Sequence, residues 1–221
     1  MRLVASVCVA AVCTWLGQAA AQATPVGVPA APAPPAAPDP STAGSDDPLQ
    51  LARTLVARAE HARRPFAVVD KRGAQILVFD ANGALVGRSA ALLGRALGDA
   101  SVPGVGRRTQ QGRLREADRT TPAGRFATEP GRNHDGEAIV WIDYDAALAI
   151  HRLRGGPDHA SRSRRLHGTD PLARRVSAGC VVVPEAFYDA VVQPLLGRQR
   201  GLVVVMPEAS NTIAATLASA G

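Results

Sequence analysis

The chain has 221 residues, with 25 Lys and Arg against 19 Asp and Glu, and 3 Cys. That length holds one catalytic domain and excludes two, and 42 alanines swell the 46% hydrophobic share, so large side chains for a core are scarce. A net charge of +6 suits an anionic partner, while aromatics at 4% argue against a stacking platform for nucleic acid, which is not expected as a partner.

Arg2, the apolar run from Leu3 to Leu16 and the small residues Ala19, Ala20 and Ala21 have the form of a secretory signal covering residues 1–21. The apolar run falls short of the roughly 20 residues a membrane span needs. Val7 and Val12 precede Cys8 and Cys13, where lipoprotein processing requires a small residue, so no membrane anchor is expected after cleavage. The expected product is exported, periplasmic or otherwise in the cell envelope, with a net charge of +5 and Cys180 as its one cysteine. A single exported cysteine cannot form an intramolecular disulfide, so it is either a buried small hydrophobe or a reactive group.

Residues 22–46 are mostly Ala, Pro, Gly and Val and read as a linker. Asp47 caps and Pro48 opens a helix expected over residues 47–64, with Leu49, Leu51, Leu55, Val56 and Ala59 as its apolar stripe and Pro65 as its stop. From there the period becomes that of strands, over residues 66–70, 75–80 and 84–88, with Asn82-Gly83 marking a hairpin. Residues 94–118, rich in Gly and Arg, read as a long exposed loop, with a helical turn near 92–97. Further strands are expected at 125–128, 138–142, 147–153, 177–183 and 202–206, and a helix opens at Pro184 and runs to Leu196. The fold class is therefore mainly β (α+β) with one or two flanking helices, a domain over 65–207 and a peripheral tail over 208–221.

Three features could carry chemistry. Thr121-Pro122-Ala123-Gly124-Arg125-Phe126 is a turn leading into a strand, Ser177-Ala178-Gly179-Cys180 ends a loop at an apolar strand, and His151 and His167 precede the cysteine. In their T-P-x-G-x-F and S-x-G-C forms, and in this order, these elements resemble the L,D-transpeptidase (YkuD-like) catalytic domain of bacterial cell-wall enzymes, over about residues 65–207. The resemblance implies a β-sandwich-like domain, no cofactor, and peptidoglycan stem peptides as partners. Cys180 would attack a stem-peptide carbonyl, form a thioester and pass the acyl group to an amine. Water as acceptor would make the same fold an L,D-carboxypeptidase, a different scissile bond an amidase, and an idle site a peptidoglycan-binding scaffold.

A thiol is mostly protonated at neutral pH and needs an imidazole to activate it. His151, after the apolar run Ala146–Ile150, is the preferred partner, and His167, in a Leu-His-Gly-Thr stretch beside Arg162 to Arg165, is the alternative. Gly179 would let backbone N–H groups converge on an oxyanion. Arg152 and Arg125 could hold a stem carboxylate by bidentate bonds, and Ser177 either accepts from the catalytic pair or shapes the turn. His61, on the exposed side of the first helix, and His134 and His159, in loops, read as surface residues. With His151 as partner, residues 154–174 must loop out over the cleft. No metal site is expected, because no His and Cys ligands stand at short spacing. Many members of the resembled family have His where this chain has Ala178, and Arg or Asn where it has Val182.

Overall fold

In the computed structural model residues 47–208 are described; the expected signal segment 1–21, the linker 22–46 and residues 209–221 lie outside them. Helix α1 (Pro48–Ala57) begins where Asp47 accepts the Leu49 N–H at 2.9 Å, satisfying one of the donors a helix start leaves open. It buries Leu51, Ala52 and Leu55 against Phe66, Phe79 and Met206. The helix ends well short of the expected Arg64, because residues 59–64 form tight turns with Ala59, Ala62 and Arg63 in the left-handed region. That early end removes Ala59 from the stripe and folds His61 beneath the helix. His61 is only 5% exposed, not a surface residue, with its ring nitrogens 3.4 Å from Leu55 O and 3.2 Å from Ala81 O.

Ten strands follow in chain order among the described residues: β1 (Phe66–Asp70), β2 (Gln75–Phe79), β3 (Leu85–Ala90), β4 (Leu93–Gly94), β5 (Gly124–Arg132), β6 (Ala138–Asp143), β7 (Leu148–Arg152), β8 (Arg175–Ser177), β9 (Val181–Val183) and β10 (Gly201–Val205). Eight form one sheet in the order β3-β2-β1-β10-β5-β6-β7-β9, and β4 pairs with β8. The expected mainly β class with flanking helices is the one adopted. The Asn82-Gly83 hairpin is present too: Gly83 has φ +86°, and Asp80 accepts the N–H groups of Asn82 and Ala84 at 2.8 and 2.9 Å.

The sheet curls until it nearly closes. Leu92, just beyond β3, exchanges backbone bonds of 2.8 and 2.9 Å with Val182 on β9. The enclosed core takes residues from every side of the curl, among them Val69, Ile76, Phe126, Val140, Ile150, Val181 and Val203. Tyr188, Val192 and Leu196 fill it from one interrupted helix, α4, made of Glu185–Phe187, a π-helical stretch Tyr188–Val192 and Gln193–Leu195.

Two stretches depart from expectation. Residues 92–94 are buried strand rather than a helical turn, and the expected loop over 94–118 contains helix α2 (Val105–Gln110) and a 3₁₀ turn at Glu116–Asp118. Close approach and charge hold this stretch down. A Cβ on Gly106 would come within 1.9 Å of Asp145 O, and the buried Asp118 accepts from Arg108 Nε at 2.7 Å and Arg115 Nε at 3.2 Å. These arginines hold the Asp118 carboxyl well below the usual carboxylate range. Within residues 154–174, helix α3 (His159–His167) replaces the expected loop. Leu166 packs with Leu92, Leu153 and Val182. Arg174 ties the end of α3 to the β1–β2 turn, donating to Arg165 O at 3.3 Å and to Gly73 O at 3.2 Å.

Candidate active site

The stretch expected as one strand over 177–183 is broken by Ala178-Gly179-Cys180, so Cys180 stands at a turn between β8 and β9. Ser177 shapes that turn: its hydroxyl donates to Cys180 O at 2.7 Å and accepts the Gly179 N–H at 3.1 Å. Gly179 has φ +129°, which disfavours any side chain, and a Cβ there would lie 2.9 Å from Thr120 O. Because the Gly179 N–H is spent inside the turn, Gly179 does not stand ready as an oxyanion donor.

The two sequence motifs meet in space. Thr121 Oγ1 donates to Gly179 O at 2.7 Å and accepts the Gly94 N–H at 2.8 Å. Behind Thr121, the buried Lys71 ammonium donates to Thr121 O at 3.0 Å and Gly98 O at 2.7 Å, and pairs with Asp99 and Glu208. Glu208 also pairs with Arg175, so the first residue of the expected peripheral tail belongs to this cluster. Burial lowers the Lys71 pKa despite the Asp99 partner. A lone lysine after an apolar strand carries no sequence signal for this role, and sequence reasoning missed it.

Cys180 is a free, half-buried thiol whose Sγ donates to Ala147 O at 3.6 Å. Burial raises its pKa, opposed by the Ala149 backbone and by Arg154 and Arg162. On β7, parallel to β9, His151 is the register partner of Val182. Its Nδ1 lies 2.8 Å from Arg152 O. A carbonyl only accepts, so Nδ1 carries the proton and Nε2 keeps a free lone pair. The imidazole pKa is lowered to about 4, first by burial and then by Arg154 and Arg162, against the Arg152 carbonyl and Glu137, which raise it. His151 is therefore neutral at pH 7 and able to accept a proton, while burial of both groups disfavours a preformed thiolate–imidazolium pair.

His151 and Cys180 line one cavity of about 490 Å³ with Ser177, Arg119, Arg154, Arg162 and Arg165; Asp158 is the carboxylate on its wall. A narrower pocket of about 70 Å³, walled by Val102, Val105, Thr120, Pro122 and Ala147, also reaches Cys180. His167 is not part of either wall: it ends α3, exposed, with Nδ1 donating to Ser163 O at 2.8 Å. His159 opens α3 and His134 lies in the β5–β6 turn, both exposed.

Both arginines expected to hold a carboxylate point elsewhere. Strand alternation turns Arg152 away from His151, to pair with Asp189 at 2.9 Å and lie 4.9 Å from the Tyr188 ring centre. Arg125 pairs with Glu60 beyond α1. The arginines that do line the cavity with the thiol are Arg119, Arg154, Arg162 and Arg165. The last two share a helix face with Asp158 and Ser161, a spacing of three and four that was readable once a helix is assigned there. Among the described residues no three His, Cys, Asp or Glu side chains converge as metal ligands. No protein-family model matches the chain, and no curated protein matches it.

Proposed function

We propose that this chain is an exported cysteine acyltransferase of the L,D-transpeptidase type, acting on peptidoglycan stem peptides. The observation that carries this reading is that the His151 imidazole and the free Cys180 thiol line one cavity, the thiol on a turn clamped by the Thr121 hydroxyl. In the reaction, His151 Nε2 takes the thiol proton as Sγ attacks the peptide carbonyl carbon. The amine leaves with that proton and Cys180 holds the acyl group as a thioester. An acceptor amine attacks the thioester, gives its proton to His151, and expels the thiolate, which is reprotonated. With water as acceptor, the same steps release a free acid.

A second reading, a scaffold that binds wall peptides without turnover, is favoured by the raised thiol and lowered imidazole pKa values and by Ala178 and Val182 in the motif. A carbapenem separates the two. Mass spectrometry of the purified protein after exposure should find one adduct, on Cys180, and none in Cys180→Ser. An unmodified Cys180 in folded protein contradicts the acyltransferase and leaves the scaffold.

A further inference from the structure

The cavity beside Cys180 carries an imbalance of charge that acyl transfer does not itself require. Four guanidinium groups reach it from three parts of the fold: Arg119 after the 3₁₀ turn, Arg154 after β7, and Arg162 and Arg165 from α3. Against them, among the described residues, the wall offers one carboxylate, Asp158. Some of this charge is engaged at the rim. Arg154 pairs with Glu137 at 2.8 Å, Arg119 lies 3.8 Å from Glu116, and Arg165 donates to Ala173 O at 2.8 Å. The Arg162 Nε is buried with no hydrogen-bond partner among the described residues. Leaving a buried guanidinium donor unpaired is costly, and a planar oxyanion is the group its fork fits best.

His151 shares the same wall. The titratable and charged groups around it are Arg154 just after its own strand, Arg162 and Arg165 from α3 and Asp158 at the start of that helix, Arg119 from the loop after the 3₁₀ turn, Glu137 from the β5–β6 turn and the Cys180 thiol from the β8–β9 turn. An anion among the arginines would cancel charge that now opposes a proton on the imidazole. Coupling between two ligands of one site is reciprocal: whatever the anion does for the proton, the proton does for the anion.

We propose that the cavity is a joint anion and proton site, in which an oxyanion of carboxylate type held by Arg162, Arg154 and Arg165 binds together with a proton on His151. A ligand bearing that group thus creates the imidazolium that the empty cavity disfavours, and with it a partner for the Cys180 thiolate. The inference goes beyond the acyl-transfer reading and survives its failure, since it concerns binding alone.

The test follows the His151 ring signals by NMR through a pH titration of the full chain, at constant ionic strength, with and without sulfate, which keeps its charge throughout. The His151 midpoint should rise by roughly one pH unit at saturating sulfate, equivalent to about tenfold tighter binding to the protonated form. Arg162→Gln should raise the midpoint without sulfate and abolish most of the response; Arg165→Gln provides the same comparison if the first variant does not fold. Acetyl-Ala-Ala with a free carboxylate should reproduce the sulfate effect and its amide should not, whereas a response to sulfate alone would restrict the site to free inorganic anions and overturn the carboxylate assignment. A midpoint indifferent to every anion, or unchanged in both variants, overturns the proposal.

Discussion

Two positively charged regions flank the cysteine turn, and they are built in opposite ways. Behind it, Lys71 is fully enclosed and nearly saturated, with Asp99, Glu208 and the carbonyls of Gly98 and Thr121 around its ammonium. In front, Arg119, Arg154, Arg162 and Arg165 face an open cavity with one wall carboxylate. Matched charge under the turn holds a backbone in place, whereas the arginine charge beside the thiol is matched only in part, at the rim, by Glu137 and Glu116. The two regions meet at Gly179, whose carbonyl is gripped from the Lys71 side while the next residue presents its sulfur to the arginines.

The comparison breaks first, and most visibly, at Lys71. Lys71→Met removes the donor to the carbonyls of Gly98 and Thr121 and the cation beside Asp99, and should cost about 2–4 kcal/mol, the usual effect of leaving two such acceptors unpaired; urea denaturation measures it. A loss below about 1 kcal/mol would show that the cluster does not hold the turn.

His151 gives the next largest effect, and its sign is definite. A histidine whose folded pKa lies below its unfolded value binds more protons when unfolded, so stability rises with pH between about 4 and 6.5 and is lost as pH falls through that window. The drop from 6.5 to about 4 corresponds to about 3 kcal/mol. His151→Gln should remove that part of the pH slope of the unfolding free energy, and an identical slope in both proteins would refute the buried neutral imidazole.

Thr121→Val removes the hydroxyl that bridges Gly94 N and Gly179 O. It should cost about 1–3 kcal/mol, slow carbapenem acylation of Cys180, and be largely rescued by Thr121→Ser. Equal acylation rates in Thr121→Val and the parent would separate the clamp from the thiol's reactivity.

The smallest effect should come from the arginine side. Arg162→Gln removes a buried donor that has no partner among the described residues, so stability should stay level or rise by up to about 1 kcal/mol. A loss as large as that of Lys71→Met would erase the contrast between the two regions.

What the sequence makes legible follows from how local each signal is. The Asn82-Gly83 turn and the apolar strands rest on short-range sterics and alternation, and they hold in the structure. The apolar run before His151 favours it over His167, and the strand it belongs to is the one that runs beside β9. Arg152 lies one residue of strand alternation away from the cavity face, which reverses a side chain's direction while leaving its position in the sequence all but unchanged. The run of arginines around Arg162 and Arg165 shows no apolar stripe and so reads as a solvated loop; Leu166, packed on Leu92 and Val182, holds it as a helix over the cavity. Lys71 and Glu208 lie far apart in the chain, and nothing local announces that they meet.

The account stands on one pairing, that of the Cys180 sulfur with the His151 ring. Its most direct test is the rate at which a carbapenem, which bears a carboxylate, acylates Cys180 at neutral pH, compared in the parent, His151→Ala and His167→Ala, with native folding checked in each. The rate should fall at least tenfold in His151→Ala and stay at the parent value in His167→Ala. A rate unchanged by loss of His151, or reduced only by loss of His167, would contradict it.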